Sequence, residues 1–117
     1  LVGGLLMAYN DITPTNLGQA AITASVTTLY TVPASTRSFV KNLDIVNTSA
    51  GALTYNIFLV PSGDTAGTAN ALFYDFPISS KENIQWTGTQ ILNAGDTIQI
   101  QASSTGITIT ASGAEAV

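Results

Sequence analysis

Apolar and polar residues alternate with a period of two along most of the chain after residue 25. Short alternating runs of this kind, closed by Gly, Pro, Asn or Asp, predict β-strands joined by turns. The runs 97–102 and 107–111 are the plainest, because Ile alternates with Thr or Gln in both. No window has the period of 3.6 residues that an amphipathic helix shows. This part of the chain is therefore predicted to be all β.

Seven or eight short strands are predicted, over residues 26–32, 38–47, 52–60, 71–78, 83–87, 89–92, 97–102 and 107–111. Strands at this spacing, each with one apolar face, predict two antiparallel sheets in a β-sandwich of jelly-roll or immunoglobulin-like type. In the second strand, Phe39, Leu43 and Ile45 are expected to share one face, with Lys41 among them. Pro77 cannot donate a ladder hydrogen bond, so its strand is expected at a sheet edge.

Residues 1–25 show no sustained period and are too apolar for a solvated disordered tail. We expect them to form an irregular, extended N-terminal arm, followed by a sandwich domain over residues 26–117. The open alternative is a first strand that packs on its own domain. If the arm contacts another molecule, its apolar residues are the candidate protein interface: Leu5, Leu6, Tyr9, Ile12, Leu17 and Ile22. Because Met7 opens a run that resembles a protein start, residues 1–6 are either an upstream extension or part of the arm.

Charged residues make up only 9% of the chain, and the net charge is −4. Nucleic-acid binding normally requires a cluster of Lys and Arg, and here the cations are limited to Arg37, Lys41 and Lys81. No apolar run is long enough to span a membrane as a helix. The positive mean hydropathy indicates a surface of neutral Thr, Ser, Ala, Asn and Gln, which suits a subunit that packs against neighbours. We expect no nucleic-acid partner and no membrane partner.

Catalytic chemistry has few candidate residues. The chain has no His and no Cys, which removes the commonest general base, the commonest metal ligand and every thiolate. Asp64 and Asp96 follow Gly in turns, where Asp side chains bond the local backbone. A two-carboxylate glycosidase site would need two acids to converge in a cleft, from a set of seven: Asp11, Asp44, Asp64, Asp75, Glu82, Asp96 and Glu115. We expect a protein that is not an enzyme and needs neither cofactor nor metal.

Aromatic residues leave a second hypothesis open, a carbohydrate- or receptor-binding module. Trp86 and the tyrosines could offer a stacking platform for sugars. Trp86 shares a strand face with Ile84, however, so we expect it to cap the core. Exposure of Trp86 or Tyr55 in a groove would favour the binding module.

Residues 28–111 contain an ordered set of short motifs: TLYTVPAS, a strand ending in VNTSAG, then LVPSGDTAGTANAL, ILNAGDTIQIQAS and GITITASG. This order resembles a family of small virion structural proteins of tailed bacteriophages. Each motif alone is generic, and the set covers about 85 residues. One departure is PAST at 33–36, where the family pattern has Gly in the turn.

The resemblance implies a β-sandwich carried on a phage particle, most specifically a capsid decoration or cement protein. Such a protein would be made in the host cytoplasm and bind the major capsid protein on the outer shell as a dimer or trimer. A tail or baseplate component is the alternative within the same family. The resemblance supplies no functional residues for transfer to this chain.

Overall fold

Residues 9–117 are described by the structure, a computed structural model, and they form eight β-strands and one short 3-10 turn. The 3-10 turn, Thr68–Asn70, lies between β4 and β5. The strands are β1 (Ile12–Ile22), β2 (Thr27–Thr31), β3 (Arg37–Asn47), β4 (Leu53–Val60), β5 (Ala71–Ile78), β6 (Asn83–Leu92), β7 (Thr97–Ala102) and β8 (Ile107–Ala116).

The strands form two four-stranded sheets. The front sheet has the order β1-β8-β3-β6, and the back sheet has the order β2-β7-β4-β5. All neighbouring strands are antiparallel. Each connection crosses from one sheet to the other, except that β4 and β5 are neighbours in the back sheet. This is the arrangement of an eight-stranded jelly roll, and it decides between the two sandwich types that the sequence predicted.

The core between the sheets consists mainly of isoleucine, valine and leucine side chains. Leu43 and Ile45 of the front sheet and Ile57 and Ile100 of the back sheet are at most 1% exposed. Burying such a side chain contributes roughly 1.5–3 kcal/mol relative to leaving it in water. The apolar residues that alternate with polar ones in the sequence therefore face the core, and the polar residues between them face the surface.

Strand positions agree with the sequence predictions, with two differences in extent. β6 is continuous where a break at Gly88 was predicted, because a bulge accommodates that residue opposite β3. β8 runs to Ala116, past the predicted end at residue 111, because it pairs with β1 and β3 along its whole length. β5 is an edge strand of the back sheet, as Pro77 predicted.

The prediction of an irregular arm over residues 1–25 is wrong for the part of that segment that the structure describes. Residues 12–22 form β1, an edge strand of the front sheet, paired with β8 from Ile12↔Ala116 to Ile22↔Ile107. Over residues 12–22, the alternative prediction of a first strand that packs on its own domain is therefore confirmed. Pro14, Gly18 and a bulge between Asn16 and Gly18 had hidden the period-two pattern. Residues 1–8 lie outside the described part of the chain.

The face of Phe39 was also predicted wrongly. β3 has a bulge between Val40 and Asn42 against β8, and its register with β6 shifts at the same position. An extra residue inverts the side-chain alternation beyond it. Val40 and Leu43 both belong to the core cluster, whereas Phe39 does not and lies on the outer face. Lys41, the extra residue, is exposed.

Candidate interaction surface

The outer face of the front sheet carries a row of apolar residues across all four strands. Pro14 of β1 pairs with Ala114 of β8, which pairs with Phe39 of β3, which pairs with Ile91 of β6. We call these four residues the apolar row. Their neighbours Ser38 and Leu92 are buried, so the row itself points outward. Ile91 is 58% exposed. Apolar residues aligned on an exposed sheet face are typical of interaction surfaces.

A line of bulges lies directly beside the apolar row. The bulge in β1 and the bulge in β3 fall at the same level of the sheet, because Asn16 and Asn42 both pair with Ser112. A shallow depression of ≈ 550 Å³ lies here, lined by Pro14, Thr15, Asn16, Lys41, Thr110, Ser112 and Gly113. Its one ionisable side chain is that of Lys41, whose Nζ donates to Thr89 Oγ1 at 2.9 Å. The depression has no carboxylate or imidazole for acid–base catalysis.

The described chain begins at this same face. The Tyr9 ring lies 4.4 Å from the guanidinium carbon of Arg37, in a cation–π arrangement. Arg37 is on β3, two strands away from β1. Arg37 Nε is buried and has no hydrogen-bond partner among residues 9–117. Arg and Tyr are the residue types most often found at the energetic centre of protein interfaces.

A polar cluster joins the two sheets at this end of the sandwich. The Tyr30 hydroxyl, from the back sheet, donates to the Glu115 carboxylate of the front sheet. Ser38 Oγ, also of the front sheet, lies 2.6 Å from Tyr30 Oη and acts as the donor to it. Burial and the contact with Glu115 raise the pKa of Tyr30 to about 12. Since Ser38 is fully buried, a substrate has no access to its hydroxyl, and the cluster is a structural clamp.

Three of the motifs that carry the family resemblance meet in space. The Asp96 carboxylate accepts from the backbone N–H of Asn93 at 2.8 Å within its own turn. Its other oxygen accepts from the backbone N–H of Ser62 at 2.9 Å, in the PSG loop. Val32 of the TVPAS motif exchanges backbone hydrogen bonds with the same turn, at Gly95 and Asp96. The predicted turn role of Asp96 is confirmed, and the motifs maintain the fold of this end of the sandwich.

The other acids are dispersed. Glu82 accepts from the backbone N–H of Ser79 across its turn, and Asp44 accepts from Asn83 Nδ2. Within residues 9–117, no group of three or more Asp or Glu is arranged to hold a metal ion. The part of the chain that is described contains no helix with the length and apolarity needed to cross a membrane.

Most of the aromatic residues considered for a binding module pack against other residues of the sandwich. Tyr55 is 1% exposed and its ring packs against Phe73 and Phe76, at centroid distances of 5.5 and 5.7 Å. Trp86 is half-buried and packs against the core, as predicted. Tyr74, 52% exposed on edge strand β5, is the aromatic side chain that water reaches most.

The six predicted interface residues have different environments. Ile12 is 62% exposed at the edge of the front sheet, and Tyr9 stacks on Arg37. Leu17 and Ile22 are at most 2% exposed and belong to the core of their own domain. Leu5 and Leu6 lie outside the described residues. Sequence reasoning missed Phe39 and Ile91, although a charged Lys41 within the supposed core face was a signal of the bulge.

No protein-family profile and no curated protein matches the sequence. A solved viral structure shares the fold. VP2 of infectious bursal disease virus, in a subviral particle, superposes with a TM-score of 0.51 at 12% identity. That match covers 92% of this chain and 33% of VP2, so this protein spans about a third of its neighbour's length. A pentameric capsid protein from metagenomic phage sequences gives a TM-score of 0.39 at 18% identity, covering 86% of this chain and 60% of that one.

Proposed function

We propose that this protein is a non-enzymatic structural component of a virus particle, and specifically a capsid decoration or cement protein. It binds the major capsid protein on the outside of the shell and stabilises the shell. The jelly-roll strand order carries the proposal, because the viral capsid protein VP2 has the same fold over 92% of this chain. The ordered motifs that resemble small phage virion proteins support it independently.

The surface chemistry is suited to this role. With 9% charged residues, the outer faces are mainly neutral Thr, Ser, Asn and Gln, which cost less to remove from water than charged side chains do. The apolar row adds area that gains free energy on burial, at roughly 25 cal/mol per Å² before ordering costs are subtracted. A dimer or trimer that contacts several subunits of the shell at once then gains avidity, because its second contact is intramolecular.

The proposed contacts come from two regions. The sandwich contributes its front face, and the N-terminal residues Leu5, Leu6, Tyr9 and Ile12 contribute apolar side chains beside it. Leu17 and Ile22 act indirectly, by holding β1 in the sandwich. The protein acts as a dimer or trimer at the virion surface, after synthesis in the host cytoplasm.

The test begins with purified particles of the virus whose genome carries this sequence. Quantitative mass spectrometry is expected to find the protein in a fixed ratio to the major capsid protein. A fixed ratio to a tail component instead would identify the alternative, a tail or baseplate protein. Absence from purified particles would overturn the virion role altogether.

A second experiment locates the binding face. Tagged protein is added to particles stripped of the native copy, and binding is measured by co-sedimentation. Ile91→Thr is expected to weaken binding severalfold, whereas the matched control Val26→Thr removes an exposed aliphatic side chain elsewhere and should bind normally. Equal binding by both variants would exclude the front face as the contact surface.

The carbohydrate- or receptor-binding hypothesis receives less support. It required Tyr55 or Trp86 to be exposed in a groove, and both pack against their own domain. Tyr74 remains accessible on β5, but a single ring on an edge strand is a small platform for a sugar.

A further inference from the structure

Two of the three cations in the chain lie on the outer face of the front sheet. The cations are Arg37, Lys41 and Lys81, in a chain whose net charge is −4. Arg37 and Lys41 are both on β3. Lys81 is in the turn between β5 and β6, where its Nζ donates to the carbonyl oxygen of Thr48 at 2.8 Å. The few positive charges of this acidic protein are therefore concentrated on the face that the apolar row crosses.

The two cations lie on either side of Phe39. Side chains at alternate positions of a strand share a face, and Ser38 is fully buried, so Arg37 and Phe39 point outward together. Lys41 is the extra residue of the bulge, is exposed and lines the depression beside the apolar row. Because a strand rises about 3.3 Å per residue, the two charged side chains start roughly 13 Å apart, with apolar area between them.

Each cation has hydrogen-bond donors that the described residues do not use. Lys41 Nζ carries three N–H donors and gives one of them to Thr89 Oγ1. Arg37 Nε is buried and has no acceptor among residues 9–117, although buried donors in native proteins are almost always paired. The Tyr9 ring stacks on the Arg37 guanidinium. A stacked guanidinium still donates in its own plane, where a carboxylate accepts two parallel hydrogen bonds.

The acids near this face leave its positive charge largely uncompensated. Glu115 is turned inward, to the polar cluster that joins the two sheets. Asp44 is on the outer face, but it starts about 10 Å from Lys41 along β3. Asp11 lies beside β1, two strand spacings or about 10 Å from Arg37 on β3. Exposed charges at such separations are mostly screened, since the Debye length at physiological ionic strength is about 8 Å.

We propose that the front face binds a partner surface on which two carboxylates flank an apolar side chain. One carboxylate pairs with Arg37, and the other enters the depression and pairs with Lys41. The apolar side chain between them packs on Phe39 and Ile91. Charge complementarity selects this partner, because a cationic or wholly apolar surface would leave both cations desolvated and unpaired. The inference rests on the proposed function, since it states the chemistry of the shell surface that the protein binds.

Co-sedimentation with stripped particles measures what each cation contributes to binding. Lys41→Gln is expected to weaken binding about fivefold, and Arg37→Gln about tenfold or more. Lys81→Gln is the matched control, because it removes the same charge from another part of the molecule, and it should bind normally. Lys41 and Lys81 are both exposed, so neither substitution opens a cavity. Raising NaCl from about 50 to about 500 mM should weaken the wild type more than a variant that lacks both front-face cations.

Zero-length cross-linking tests the chemistry of the partner directly. A carbodiimide joins a lysine amine to a carboxylate only where the two groups are in contact. Decorated particles treated in this way should yield a peptide in which Lys41 is linked to an Asp or Glu of a shell protein, detected by mass spectrometry. Lys41→Gln should remove this product, and Lys81 should form no link to the shell.

The outcomes separate this inference from the role on which it rests. Failure of the wild type to bind stripped particles would overturn the proposed function and the inference with it. Normal particle binding by Lys41→Gln and Arg37→Gln, equal to that of Lys81→Gln, would overturn the inference alone. A link from Lys41 to a second copy of this chain, seen as a covalent dimer, would also overturn it, because the face would then be an interface between copies.

Discussion

The Asp96 carboxylate accepts a hydrogen bond from the backbone N–H of Ser62, 34 residues earlier in the chain. The bond joins the β6–β7 turn to the loop after β4. Gly95, with a φ of 86°, allows the turn to approach so closely that a Cβ there would lie 2.7 Å from Ser62 Oγ. The PSG and AGD turn motifs, which are generic in sequence, thus contact each other in the folded protein.

We predict that Asp96→Ala lowers the free energy of unfolding by about 2–3 kcal/mol, because two backbone N–H groups lose a charged acceptor. Asp64→Ala is the matched control, since Asp64 also follows Gly in a turn and its carboxylate accepts no hydrogen bond within residues 9–117. It should change stability by less than about 0.5 kcal/mol. Urea denaturation measures the free energy of unfolding of both variants. Equal losses would contradict the stabilising role of the Asp96 hydrogen bonds.

Gly113→Ala is expected to prevent stable folding. A Cβ at Gly113 would lie 1.8 Å from the carbonyl oxygen of Phe39, so β8 and β3 could not pair at their present spacing. The control is Gly67→Ala, because Gly67 has an extended φ of −173° and open space around it. Thermal unfolding followed by circular dichroism compares the two. A cooperative transition near the wild-type temperature in Gly113→Ala would refute the close approach of these strands.

Two Tyr→Phe substitutions are predicted to act in opposite directions. Tyr30→Phe removes the hydroxyl that bonds Glu115 and Ser38, and should destabilise by about 1–3 kcal/mol. Tyr55→Phe removes a buried hydroxyl that has no partner among the described residues, and should be neutral or stabilising. Chemical denaturation under identical conditions provides the comparison, and a larger loss at Tyr55 would reverse the interpretation.

Alkaline pH is expected to unfold the protein through these same tyrosines. Burial raises the pKa of both Tyr30 and Tyr55 from 10.0 to about 12. Because the folded-state pKa of each tyrosine is raised, ionisation of its hydroxyl favours the unfolded state. The stability of the fold is therefore fully present below pH 10 and is lost as the pH rises through about 12. Absorbance at 295 nm and circular dichroism, recorded together, should show late tyrosine ionisation coinciding with loss of structure. Ionisation of both groups near pH 10 in a folded protein would contradict the prediction.

Much of the fold was predictable because the strands after residue 25 obey a simple alternation. Ile98 and Ile100 alternate with Thr and Gln, and the structure buries both isoleucines. Pro77 correctly indicated that β5 is an edge strand, because proline has no backbone N–H to donate to a neighbouring strand. β1 was harder to recognise from the sequence. Its bulge breaks the alternation, and Leu17 is its one buried residue before Ile22.

The candidate surface could not be predicted, because it depends on register. Phe39, Ala114 and Pro14 are far apart in sequence and become neighbours only through strand pairing. The bulge at Lys41 then decides on which side of the sheet Phe39 lies. Composition predicted a neutral surface suited to contacts, but no local pattern specifies which strands of a jelly roll lie next to one another.

The bulge in β3 has a consequence for how this protein can change over evolutionary time. Beyond Lys41 the strand's apolar residues are held by the core, whereas Phe39 is free of that constraint. Substitutions at Phe39 and Ile91 can therefore change the outer face of the front sheet without repacking the interior. A single-residue insertion between the bulge and Leu43 has no such freedom, since it would turn Leu43 and Ile45 out into water.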